Sequence, residues 1–167
     1  HNLSNDHIIY SDVFNSIDIK NISKKTEKIY FMQIFFYPAK IQKESVYNNY
    51  YEYLYLKLLG VIFSLSLQEK NGLSYFVFYD VYSENYISII EILRNYYETV
   101  EIYNFSIDNY LSPNITFTVK GENFRGINNS ELDTLYKLLD NIYKDFKIFD
   151  NIEKLNYGCG IYTIRKK

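Results

Sequence analysis

Apolar and polar positions along the chain fall into blocks with different periods. Ile29 to Tyr37 is an almost continuous apolar run that stops at Pro38, and it predicts a strand buried on both faces at the centre of a sheet. From Glu44 to about Gln68 the spacing changes to three or four, through Tyr47, Tyr51, Leu54, Leu58, Val61, Ile62 and Leu65. That period predicts a long amphipathic helix, with Asn71-Gly72 as its terminator. Leu73 to Tyr82 returns to aromatic and β-branched residues and predicts a second strand. Ser83 then suits the N-cap of a helix over Glu84–Glu98, whose inner stripe is Tyr86, Ile89, Ile90, Leu93 and Tyr97.

The second half repeats the alternation. Val100 to Ile107 alternates in part, and Ile115, Phe117 and Val119 alternate cleanly with Thr116, Thr118 and Lys120, so two further strands are expected with turn chemistry at Asp108-Asn109 and Ser112-Pro113-Asn114. A loop is expected over Gly121–Asn129. Ser130, with Asp133 three residues on, opens a helix with the stripe Leu132, Leu135, Tyr136, Leu139, Ile142, Tyr143 and Phe146. Lys147–Phe149 reads as a short strand and Gly160–Arg165 as a last one. Residues 1–25, polar with small apolar clusters, are expected to dock loosely with at most one helical turn, ahead of a single α/β domain over 26–167.

The expected order is β-α-β-α-β-β-α-(β)-β. It implies an α/β fold of the α+β sandwich kind, with helices on one face of a mixed or antiparallel sheet in a ferredoxin-like arrangement. From residue 84 onward the order αββαββ resembles that of the soluble domains of inner-membrane assembly proteins of type IV pili and type II secretion systems. The resemblance rests on element order alone. It implies a soluble part of a membrane-associated assembly, and the start of the chain at His1 rather than Met fits a processed or excised chain with a membrane anchor upstream.

Composition narrows the chemistry. The chain carries 20 Tyr and 12 Phe, no Trp, and three Arg (Arg94, Arg125, Arg165), the pattern expected of an AT-rich genome. With 18 basic and 20 acidic residues the net charge is −2, which gives no broad positive field for a phosphate backbone, so nucleic acid is not an expected partner. The aromatic strand residues Tyr30, Phe31, Phe35, Phe36, Phe76 and Phe78 lack the basic, glycine-containing signature of RNA-binding sheets and read as core. No stretch reaches the length of a bilayer span; Leu54–Leu67 is interrupted by Lys57, Gly60, Ser64 and Ser66.

Catalytic equipment is sparse. A single cysteine and two histidines, His1 and His7, leave no disulfide framework and no expected metal site. Cys159 between Gly158 and Gly160 is the candidate reactive thiol, set against a cysteine entering a final strand through a bulge or tight turn. Carboxylate pairs such as Asp80 with Glu84 or Asp108 with Glu122 are separated by turns, and Gly121-Glu-Asn-Phe-Arg-Gly126 matches no phosphate-binding pattern, so no cofactor is expected. The sequons at Asn2, Asn21, Asn104, Asn114 and Asn128 are what an Asn-rich chain produces by chance.

One cluster departs from a core pattern. Tyr47, Tyr50, Tyr51, Tyr53 and Tyr55 cover nearly the whole circumference of a helix, so one side is expected to lie outside the domain's own core. Tyr47, Tyr50, Tyr53 and Tyr55 are therefore the expected interaction surface, because Tyr joins apolar area to a hydroxyl that tolerates water. The functional expectation is a non-enzymatic interaction or scaffold domain that contacts a protein partner or a second copy through this helix or a sheet edge. The alternative is a small-ligand-binding domain or an enzyme using carboxylates or Cys159.

Overall fold

The organising element is a helix whose C-terminal part is buried all round. The computed structural model describes residues 8–10, 13, 15–34, 46–78, 83–104, 117–145 and 160–164. In it, helix α2 spans Val46–Leu67, and every residue from Tyr55 to Leu67 is buried. A helix that is apolar on all sides needs neighbours on all sides. The sheet packs on one flank through β2 (Ile29–Ile34) and β3 (Gln68–Phe78), and helix α3 (Glu84–Tyr96) packs alongside. Helices α1 (Ser16–Ser23) and α4 (Asn129–Asp145) close the remaining flank.

With β1 (Ile8–Tyr10), β4 (Tyr97–Asn104), β5 (Phe117–Phe124) and β6 (Gly160–Ile164), the described residues form a mixed six-stranded sheet in the order β1-β6-β2-β3-β5-β4. Only β2 and β3 pair in parallel, joined by the α2 crossover; the other pairs are antiparallel. The α/β class and the burial of one sheet face beneath helices agree with the sequence pattern. The strand order departs from a ferredoxin-like unit. There the strand after the second helix returns beside the first; here β2 occupies that place next to β3, and β6 pairs one position further out, against β2. The parallel β2-α2-β3 unit has displaced it.

Period two sorts the strands cleanly. Ser74, Phe76 and Phe78 of β3 pair with Gly121, Val119 and Phe117 of β5, all buried on the helix side. Tyr75 and Val77 pair with Lys120 and Thr118 on the opposite face, half-buried, and no helix among the described residues covers that face. The strand over 117–124 runs straight through Gly121, where a loop was expected. Gly121 is required there because an added Cβ would stand 2.8 Å from the Tyr97 ring.

Three other local readings change. Asn71-Gly72 does not end a helix: α2 passes into β3 with no loop, and the pair lies inside the strand, Asn71 at φ 63. Helix α4 is capped two residues earlier than expected, by Asn128 and Glu131. Asn128 Oδ1 accepts the Glu131 N–H at 2.9 Å and Glu131 Oε2 accepts the Asn128 N–H at 3.1 Å. Ser83 takes the N-cap position of α3 without a side-chain capping bond.

Residues 15–23 are held more firmly than their composition suggested. Asn15 and Asp18 form a complete capping box, which sets two turns of helix rather than one. Ile19 is fully buried in the common core, Ser16 Oγ donates to Asp140 Oδ2 at 2.9 Å, and Lys20 lies 4.6 Å above the Tyr136 ring. The expected short strand at Lys147–Phe149 lies outside the described residues.

Candidate functional site

The tyrosine segment divides at the point where α2 enters the core. Tyr55 is 1% exposed and its ring packs 5.7 Å from that of Tyr143, so it is a core residue and not part of a contact surface. Burial first, and the nearby Tyr143 hydroxyl second, push its own hydroxyl well above the ordinary tyrosine range. The reason for the correction is tertiary. Helices α1 and α4 cover the flank that helical spacing alone would leave to solvent. Tyr53 is half-buried and Tyr51 is exposed, which puts the accessible part of the described segment up to about one turn further toward the N-terminus. Tyr47 and Tyr50 lie in the helical backbone of α2, and their side chains are outside the described residues, as are His1, His7, Asp80, Asp108 and Cys159. Phe31, Phe76 and Phe78 are core or half-buried strand residues; Phe35 and Phe36 lie outside the described residues.

Two polar constellations emerge that the sequence reading did not single out. The first is buried at the junction of α2, β2 and β3. Ile29 pairs with Gln68, yet two residues on Phe31 pairs with Leu73, so the β3 backbone bulges over residues 69–72. Gln68 fills the interruption. Its amide donates to the carbonyls of Ile29 at 3.0 Å and Tyr30 at 2.7 Å. Its carbonyl accepts from Ser74 Oγ, from the Tyr97 hydroxyl at 3.3 Å and from Ser64 Oγ at 3.5 Å. Ser64 and Ser74 share a further bond of 3.0 Å. Gly72 is needed beside it, since a Cβ would lie 2.6 Å from the Tyr30 carbonyl oxygen. Burial pushes the Tyr97 hydroxyl up to about 12. With every member bonded and screened from water, this cluster fixes register; it offers no open position to a substrate.

The second lies on the helix-free face, across β4 and β5. Register sets Glu101 opposite Lys120 and Tyr103 opposite Thr118. Lys120 Nζ stands 2.5 Å from Glu122 and 3.5 Å from Glu101, and the Tyr103 hydroxyl donates to Glu101. The Tyr103 bond holds the Glu101 carboxyl below its usual range, the same carboxylate raises the Tyr103 hydroxyl, and the Glu122 bond raises the Lys120 ammonium. Tyr75 lies directly opposite Lys120 on β3, and its ring is 5.8 Å from Phe31. The face thus runs from apolar and aromatic at β2–β3 to charged at β5–β4. The period-two alternation of Glu101 and Tyr103, and of Lys120 and Glu122, was visible in the sequence, but only the strand register brings the four together.

Beyond this face, Ile102 on β4 is 48% exposed on the helix side of the sheet. Among the described residues no group of three His, Cys, Asp or Glu side chains is placed to hold a metal ion, and no helix is long and apolar enough to cross a membrane. Compared with known proteins, the chain matches no family model and no curated protein.

Proposed function

We propose that the chain is a non-enzymatic protein–protein contact module that engages its partner through strand β4 and the adjoining helix-free face, with Tyr47, Tyr50 and Tyr53 of α2 as a second contact. The observation that carries this reading is the outer strand. Among the described residues β4 ends the sheet, and its successive residues Glu101, Ile102 and Tyr103 are all exposed. Edge strands with accessible apolar side chains are sites of strand addition and association unless they are covered. Polar atoms buried elsewhere are committed to register, whereas those of Glu101, Tyr103 and Lys120 remain at the surface where a partner can reach them. The β3-α3-β4-β5-α4 portion is read as the ferredoxin-like part of the fold, widened by β2, and the whole as the soluble part of a membrane-associated assembly.

Site-specific photo-crosslinking in the native cell tests the reading. A crosslinking residue at position 53 or 103 is expected to give discrete protein adducts, and one at exposed Lys137 on α4 is expected to give none. The absence of adducts at both test positions, in a chain that still folds, would end it.

A further inference from the structure

We infer that the partner of β4 is the β4 strand of a second copy of this chain, paired antiparallel about a twofold axis through Ile102. The inference rests on the contact reading above and specifies it.

Backbone geometry limits the registers available. The Arg125 N–H donates to the Tyr96 carbonyl at 2.8 Å, in the same register as the β4–β5 pairs that follow it. Side-chain side and backbone direction alternate together along a strand, so Tyr97, whose side chain enters the core, turns its N–H and C=O outward; the ladder is interrupted at Glu98 and Asn123 (φ 55), and beyond it Val100 and Ile102, on the same helix side as Tyr97, turn theirs outward as well. Those of Glu101 and Tyr103 turn toward β5, and among the described residues no strand pairs with the outer edge. A twofold pairing of this edge with itself must match outward residues with outward residues. Within the exposed stretch that leaves axes through Val100, Glu101 or Ile102.

Side chains choose among them. An axis through Glu101 sets two carboxylates directly opposite each other, which is unfavourable. An axis through Val100 centres the contact on a half-buried residue and sets Glu98 against Ile102 of the second copy. An axis through Ile102 joins the two 48% exposed isoleucines in a hydrogen-bonded pair, with their Cα atoms about 5.5 Å apart. It also sets Glu101 opposite Tyr103 of the other copy, on the helix-free face, in the non-hydrogen-bonded pairs that flank the axis, where side chains approach most closely. Tyr103 already donates to Glu101 within one chain, so the same donor and acceptor meet across the interface. On the helix side, Ile102 is the strand neighbour of fully buried Val119, and the isoleucine pair continues that apolar layer from one copy into the next. Twofold dimers are the commonest closed assemblies, and this pairing removes the longer of the two sheet edges.

Sedimentation velocity on the full chain at about 1 to 100 µM is the first test. A species of twice the chain mass is expected, and Ile102→Lys should weaken its association at least about tenfold with an unchanged circular dichroism spectrum. Crosslinking reads the register independently. In a Cys159→Ala background, Ile102→Cys is expected to oxidise to a disulfide-linked dimer. Thr99→Cys is not, because its two copies would lie roughly 20 Å apart along the strands. A chain that stays monomeric throughout, or a dimer that crosslinks through residue 99 and not 102, would overturn the inference. The photo-crosslinker placed at residue 102 in cells separates the two readings. An adduct of twice the chain mass supports self-pairing; an adduct of any other mass overturns self-pairing while leaving the contact reading in place; no adduct at 53, 102 or 103 removes both.

Discussion

Tyr97 and Tyr103 lie six residues apart on one strand and do opposite things. The Tyr97 hydroxyl is buried at the β2–β3 end of the fold's polar chemistry, bonded to Gln68 and close to Ser64. The Tyr103 hydroxyl lies at the open β5–β4 end, bonded to Glu101. Both titrate above the ordinary tyrosine value, Tyr97 because burial penalises the phenolate and Tyr103 because its neutral hydroxyl donates a hydrogen bond to a carboxylate. The causes differ in consequence. A hydroxyl bonded in the interior cannot leave without stranding its partners, so it commits the chain to one register. A hydroxyl bonded at the surface can exchange that partner for another of equal quality. Buried polar bonds that fix register are concentrated at one end of the sheet, and exposed ones at the other.

The most severe way to break the comparison is at Gln68. Replacing it by Leu keeps the volume but leaves the Ile29 and Tyr30 carbonyls and the Ser74 and Tyr97 hydroxyls without their buried partner. A loss of about 3–5 kcal/mol in urea unfolding is expected. Gly72→Ala should act at the same joint, since its methyl group would meet two backbone oxygens, those of Tyr30 and Glu69 at 2.6 and 2.7 Å. A Gln68→Leu protein within about 1 kcal/mol of the parent would mean that the bulge holds its register without the polar cluster.

Lys57 sharpens the comparison from inside the core. It is 5% exposed in the apolar stretch of α2, and burial pushes its ammonium down to about 8. Below pH 8 it is charged in both the folded and the unfolded chain, and the cost of burying that charge is carried in full. Between pH 8 and the unfolded value near 10.5 the unfolded chain holds the extra proton, so stability rises with pH. Lys28, also held below its ordinary value by burial, works in the same direction. The rise ends near pH 10, above which unfolded tyrosines ionise while buried Tyr97 resists until about 12. Urea unfolding at pH 7 and 9.5 should differ by about 2 kcal/mol in favour of the higher pH, and Lys57→Met should flatten the difference. A parent protein equally stable at both values would show that Lys57 does not carry a buried charge.

What the sequence made legible follows from which interactions are local. The α4 stripe and the Phe117/Val119 alternation depend on period alone, and both appear where expected. Asn71-Gly72 was misread because its turn signal is genuine, but the turn it makes is a bulge inside a strand. Tyr55 was misplaced because helical spacing cannot reveal that α1 and α4 return to cover α2. The N-terminal segment looked loose because Asn15 and Asp18 are ordinary residues in an Asn-rich chain until their spacing is recognised as a capping box. The Glu101, Tyr103, Lys120 and Glu122 group was invisible for a simpler reason. Its members come from two strands whose register no local pattern states.

The gentlest test acts at that surface group. Glu101→Gln keeps the shape of the side chain and removes the negative charge that Tyr103 and Lys120 share. Exposed pairs of this kind contribute little to folding, so the thermal midpoint should stay within about 1 °C of the parent. The titration of Tyr103 should nevertheless change. Its elevation comes first from the bond to Glu101, so without the carboxylate its midpoint falls toward the ordinary tyrosine value, as read from the 13Cζ shift of that residue by NMR. Tyr97 should titrate as before, because its elevation comes from burial at the other end of the sheet. If Glu101→Gln instead unfolded the protein as Gln68→Leu should, the open face would also be holding the fold together. The division between a structural end and an end that can exchange its bonds would then have to be given up.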